Sequence, residues 1–252
     1  MQLKGGVIIM GSLLWQDDLH RNDKVRCSWR STSLNLNQKI LVRLPIRYGR
    51  YSTDKIYTMV FETDCEKPNA LGTGYVVPFK NNPIGDLDVL ICEARMMAKA
   101  EGMECGFVGK KSDGIWASMG ILINKRVPPK TKKQIISRWA KELNNDEDTS
   151  KCRIPRKKLS INKDGELQID WPTSFYRAEQ STIDEGIDFL IATSTKSKKY
   201  RGNSHTKYPS PAEIAKKVTQ NDLQRRYFMN NWYYRITTFQ DNSVIDHLKL
   251  SP

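Results

Sequence analysis

The run Val7-Ile8-Ile9-Met10-Gly11-Ser12-Leu13-Leu14-Trp15 holds the feature that organises the rest of the chain. Gly5-Gly6 leads into four apolar residues of largely β-branched character, which read as a buried strand. Gly11-Ser12 then stops it. A strand that runs directly into Gly-Ser exposes successive backbone N–H groups at its tip, and such a tip can cradle a carboxylate or another anion. Outward from this point, Lys39–Ile46 and Ile56–Glu62 read as strands joined by a polar loop, Arg47–Asp54, and Gly72–Phe79 as a strand closed by Pro78.

From Asp86 onward the period changes. Leu87, Leu90, Ala94 and Met97 share one helical face, and Gly102 is placed to end the helix. Continuing that face by four residues lands on Glu101, which puts a carboxylate on the stripe that otherwise points into the core. Strands are expected around Glu104–Val108 and Ile115–Ile123, a helix over Thr131–Leu143, a polar loop at Asn144–Ser150, a hairpin about Asp164-Gly165 and a strand at Gly186–Thr193. Ser210-Pro211-Ala212-Glu213 fits a capping box with proline at the first helical position, opening a helix to about Val218 with a second running to Asn231.

The 252 residues are 38% hydrophobic and include 6 Trp, 10 Tyr and 7 Phe, which excludes disordered, collagen-like and low-complexity chains. The formal net charge is +13, of which +3 falls on residues 1–124 and +10 on residues 125–252. Such an excess fits an anionic partner. Five widely spaced cysteines (Cys27, Cys65, Cys92, Cys105, Cys152) form no C-x-x-C pair and are expected as buried free thiols of a reducing compartment. The apolar run Val7–Trp15 is too short to span a bilayer and lacks the flanks of a secretory signal, so a cytoplasmic location is expected. The three histidines, His20, His205 and His247, lie far apart, and the phosphate-binding lysine loop, the dinucleotide fingerprint and the nucleophile elbow are all missing from the sequence.

The order of strand, Gly-Ser-Leu-Leu-Trp, further strands, Gly72-Thr73-Gly74-Tyr75-Val76-Val77-Pro78, helix and Glu101-Gly102 resembles the γ-glutamylcyclotransferase-like superfamily over about residues 6–123. A fainter echo lies at Ser210-Pro211. The resemblance implies an α+β fold: a small mixed-sheet partial barrel with flanking helices, the core in residues 1–124 and a basic C-terminal extension in 125–252 packed on it. It also implies that Gly11, Ser12 and Leu13 bind the γ-glutamyl moiety through backbone amides, and that Glu101 is the catalytic acid/base. Met10 stands where the family carries tyrosine.

The implied reaction cyclises a γ-glutamyl amine or peptide to 5-oxoproline and releases the amine. It needs neither metal nor cofactor, because the substrate's own amine is the nucleophile and one carboxylate can carry the proton. Arg43, Arg47 and Arg50, around the end of the second strand, are open to two readings: Arg47 and Arg50 as holders of a substrate carboxylate, or solvent-facing cations. The competing class is a noncatalytic subunit that binds nucleic acid or an acidic protein partner. Its candidate contacts are Arg156, Lys157, Lys158, Lys198, Lys199 and Arg201, with Tyr200, Tyr208, Tyr227, Phe228 and Trp232 as stacking partners.

Overall fold

A computed structural model describes residues 2–17, 23–62, 70–103, 106–111, 114–144, 160–195 and 208–249. Strand β1 (Gly5–Ile9) is buried along its whole length, as its uninterrupted apolar run requires. It pairs antiparallel with β5 (Gly72–Pro78) and parallel with β9 (Phe189–Thr195). Beyond β5 lie β2 (Ile40–Leu44) and the two-residue β8 (Thr173–Ser174). Beyond β9 lie β7 (Gly114–Ile123) and β6 (Val108–Lys111).

The result is an α+β architecture with a seven-stranded mixed sheet, in the order β6-β7-β9-β1-β5-β2-β8, and seven α-helices among the described residues. The sheet is larger than the small one expected, and it does not close into a barrel. The place between β1 and β7 is filled from the second half of the chain, so residues beyond 125 build the sheet as well as packing on it.

A second correction concerns Arg47–Asp54. Ile46–Tyr51 forms β3, which pairs with β4 (Tyr57–Phe61) in a separate two-stranded sheet. The polar letters of R-Y-G-R-Y conceal an alternation in which Ile46 and Tyr48 are fully buried and Arg47 between them is not. The open edges of this hairpin are met by side chains. Gln224 accepts from the Tyr57 amide at 2.6 Å and donates to its carbonyl at 3.2 Å, the Tyr227 hydroxyl accepts from Met59 N–H at 3.3 Å, and Gln240 accepts from Tyr48 N–H at 3.0 Å. Buried backbone donors are thereby satisfied without a further strand.

Helix α1 (Asp23–Ser33) was not anticipated, because only Trp29, Arg30 and Ser33 of its described side chains are buried. Helix α2 (Leu87–Ala100) follows its sequence signals closely. Asp86 caps the Asp88 amide, and the C-terminus closes with Gly102 N–H to Lys99 O at 2.9 Å and Met103 N–H to Ala98 O at 2.9 Å, the paired bonds of a Schellman motif. Helix α3 (Pro129–Asn144) buries Trp139 against Phe107, ring centroids 4.5 Å apart. The short α4 (Gln180–Asp184) precedes β9. Helix α5 (Pro211–Gln220) begins with both halves of the expected capping box, and α6 (Asp222–Tyr233) and α7 (Asp241–Lys249) complete the chain's helical part.

Cys27 and Cys92 are exposed free thiols, contrary to the burial expected of them; the other three cysteines lie outside the described residues. No helix among the described residues is long and apolar enough to cross a membrane.

Candidate active site

At the end of β1 the chain turns on Gly11, whose φ of +86° is a left-handed conformation that glycine adopts without strain. The carbonyls of Gly11 and Ser12 fold inward: Leu14 N–H reaches Gly11 O at 3.4 Å, and Trp15 and Gln16 N–H reach Ser12 O at 3.2 and 2.9 Å. Ser12 is half-buried, while the Leu13 side chain is buried in the core.

Two arginines one helical turn apart on α1 hold this turn from outside. Arg30 donates to the Leu13 carbonyl at 2.6 Å and to the Gln16 carbonyl at 3.3 Å, and pairs with Asp17; burial lowers its pKa, with Tyr234 acting in the opposite direction. Arg26 donates to the Gln16 side chain at 2.7 Å.

The same Arg26 guanidinium reaches Glu101. Its Nε donates to the Ala100 carbonyl at 3.0 Å and its Nη2 lies 3.5 Å from Glu101 Oε2. The Schellman closure of α2 thus brings Glu101, about ninety residues away in sequence, to the flank of the Gly11 turn. The carboxylate is 19% exposed and ion-paired, at the rim of the apolar face and not within it.

Helix α6 supplies the inner wall. Tyr227 is buried against the turn, its hydroxyl 2.6 Å from the point a Gly11 Cβ would occupy. Burial pushes its pKa up to about 12; the Met59 N–H and Asn231 lower it, the nearby Glu101 charge raises it and Arg50 lowers it, so these groups share one electrostatic neighbourhood. One turn on, Asn231 accepts from Trp15 Nε1 at 2.7 Å. Arg50 lies over the Trp116 ring, 4.5 Å from its centroid.

The structure therefore gathers Gly11, Ser12, Leu13 and Glu101 with Arg26, Gln16, Tyr227 and Asn231, while Arg50 stands against Trp116 and bears on this group through its charge on Tyr227. Arg47 is engaged elsewhere: it pairs with the buried Glu62 and lies over the Tyr208 and Phe239 rings, 3.7 and 5.4 Å from their centroids. Arg156, Lys157, Lys158, Lys198, Lys199 and Arg201, like Tyr200, lie outside the described residues. Tyr227 and Phe228 are buried and are not stacking surfaces. Lys132 and Arg126 pair with Glu166 and Asp188, each at 2.9 Å.

Arg26, Arg30 and Asn231 were missed from sequence, and Tyr227 was read only as a stacking aromatic. The available signal was spacing: Gln224, Tyr227, Phe228 and Asn231 mark one face of α6 on which two amides accompany the aromatic rings. Among the described residues, no three or more His, Cys, Asp or Glu side chains gather as a metal site.

No family model matches the chain, and neither a curated protein nor a solved structure gives a match.

Proposed function

We propose that the chain is a γ-glutamylcyclotransferase-like enzyme that cyclises a γ-glutamyl amine or peptide to 5-oxoproline and releases the amine. The observation that carries this reading is the convergence on one guanidinium: Arg26 ties Gln16 of the Gly11 turn and Glu101 together. In this reading the amides of Gly11, Ser12 and Leu13 hold the γ-glutamyl moiety and Arg50 faces its α-carboxylate. Glu101 takes a proton from the substrate α-ammonium, and the freed nitrogen attacks the γ-carbonyl. As the γ-amide bond breaks, the departing amine takes up that proton from Glu101 together with the second one the ring nitrogen sheds, and leaves as its ammonium. Bonds and protons balance with no second reactant.

A hydroxyl is also present although Met10 lacks one, since Tyr227 brings its own to the turn. That same ring supports a second reading, a noncatalytic cyclotransferase-like subunit, because it covers the inner side of Gly11. The two are separated by assaying 5-oxoproline release from a panel of γ-glutamyl amines and peptides. Wild type should turn over at least one of them, and Glu101→Gln, which keeps the shape and loses the proton shuttle, should be inactive while remaining folded. Equal rates would remove Glu101 from the mechanism, and inactivity of wild type on the whole panel would select the noncatalytic reading.

A further inference from the structure

At the C-terminal end of α6 lies an open cleft of about 740 Å³, whose lining includes Leu71, Phe175, Trp232, Arg235, Phe239 and Asp241. Its aromatic groups are unusually exposed: Phe175 and Trp232 are each 40% accessible, and Tyr176 beside them 45%. Rings of this size ordinarily bury themselves, and leaving several in the open forfeits hydrophobic stabilisation.

Cations stand directly against these rings. The Arg43 and Arg235 guanidinium carbons lie 5.4 and 5.5 Å from the Phe175 centroid, and Arg235 is also 5.7 Å from that of Tyr176, whose hydroxyl it meets at 2.8 Å. Among the described residues neither arginine pairs with a carboxylate. The backbone fixes Arg235 in place, since its carbonyl accepts from Thr73 Oγ1 at 2.6 Å and its φ is +58°. The same strip continues to Tyr75, which feels both Arg235 and Tyr176 and lies beneath Lys39, 5.9 Å from its amine. The acid of the lining, Asp241, is 2% exposed and hydrogen-bonded to Thr238 at 2.5 Å, so it faces inward.

We infer that this cleft binds single-stranded nucleic acid, with bases stacking on Phe175 and Trp232 and phosphates meeting Arg43, Arg235 and Lys39. Partly exposed rings, of which Trp232 has one face stacked on Phe228, beside guanidinium groups without carboxylate partners are the two elements of sequence-tolerant strand binding, and neither an acidic peptide nor a lipid surface calls for both. The net charge of +13 adds long-range attraction for a polyanion. The inference stands independently of the cyclotransferase reading, which uses none of these residues.

The test is fluorescence anisotropy of labelled ten-nucleotide oligo-U and oligo-dT with the full chain over a roughly fourfold range of salt, about 50 to 200 mM. Three phosphate contacts predict a log–log salt slope of about −2, and Arg235→Asn, which tolerates the left-handed backbone, should flatten it by about 0.7. Trp232→Leu and Phe175→Leu should each weaken binding about tenfold, with circular dichroism unchanged. Lys216→Gln, an exposed charge change on α5, should leave affinity near wild type.

Any of several results would overturn the inference. They are no binding by wild type at 50 mM salt, full affinity in both ring variants, equal losses in the Arg235 and Lys216 variants, or a wild-type dimer that Trp232→Leu dissociates. The last would make the cleft an interface between copies. Competition by a mononucleotide at concentrations as low as the oligonucleotide's own would also refute a strand site, since a strand gains from successive contacts.

Discussion

Replacing Gly11 with alanine tests the geometry on which the candidate active site rests. Two costs arise. An L-residue at φ +86° carries strain of about 1–2 kcal/mol. The new methyl would lie 2.6 Å from the Tyr227 hydroxyl, displacing it and leaving the buried Met59 N–H without its acceptor, which costs about 1–3 kcal/mol. Gly11→Ala should therefore destabilise by about 2–5 kcal/mol.

Tyr227→Phe alone removes the same acceptor and should cost about 1–3 kcal/mol. In the double variant the methyl faces only the ring, whose nearest remaining carbon is at 3.6 Å, an ordinary contact. Only the backbone strain is then added, so the double variant should be about 1–3 kcal/mol more stable than the sum of the singles. Urea unfolding followed by circular dichroism reads this coupling, provided the m-values agree. Because the Tyr227 pKa lies near 12, the phenol stays protonated at neutral pH and does not complicate the cycle. Additivity to within about 0.5 kcal/mol would show that the hydroxyl does not sit against Gly11.

Asp241 has its pKa pushed by burial from 3.8 to about 6, so folding favours its protonated form; that contribution is complete below pH 3.8 and is lost as pH rises through about 6. Asp241→Asn, which keeps an acceptor for Thr238, should raise stability at pH 7.5 by about 1–3 kcal/mol and bring almost no gain at pH 4, a difference that paired thermal melts would detect. Arg47→Gln should destabilise by roughly 3 kcal/mol by removing the guanidinium from the buried Glu62 carboxylate, with part of the loss recovered in Arg47→Gln/Glu62→Gln and no change in KM for a γ-glutamyl substrate. Selective KM damage in a stable Arg47 variant would return that residue to the substrate site. Cys27 and Cys92 should react with a thiol reagent in the folded protein, and resistance at either position would contradict its exposure.

The parts legible in the sequence were those whose signals are local. Asp86, Gly102 and the Ser210/Glu213 pair each name a helix end within a few residues, and β1 declares its burial by having no polar side chain. Helix α1 was illegible because its inward face carries a tryptophan, an arginine and a serine, so hydrophobic periodicity is too weak to register. Strand β3 was hidden by Arg47 and Arg50, whose charge resembles that of a loop although Tyr48 between them is fully buried. For the candidate site, Gly11 and Glu101 stood out as anomalies in otherwise regular patterns. Arg26 and the role of Tyr227 did not, since their parts depend on three distant segments meeting at one point.

The insertion of β9 between β1 and β7 sets the order in which the molecule can assemble. Gly5–Val7 pairs with Phe189–Ile191, so the central parallel contact closes a loop of more than 180 residues, among the slowest events to nucleate because its entropy is lost before neighbouring bonds can reward it. Until residue 195 is available, β1 can pair only with β5, and β7 can pair with β6 while its other edge stays open. Refolding should therefore populate two partial sheets before the final strand zips them together. A fragment ending near residue 124 would keep β6-β7, β1-β5-β2 and the candidate catalytic glutamate, yet would leave hydrophobic edges of β1 and β7 unpaired and be prone to aggregate.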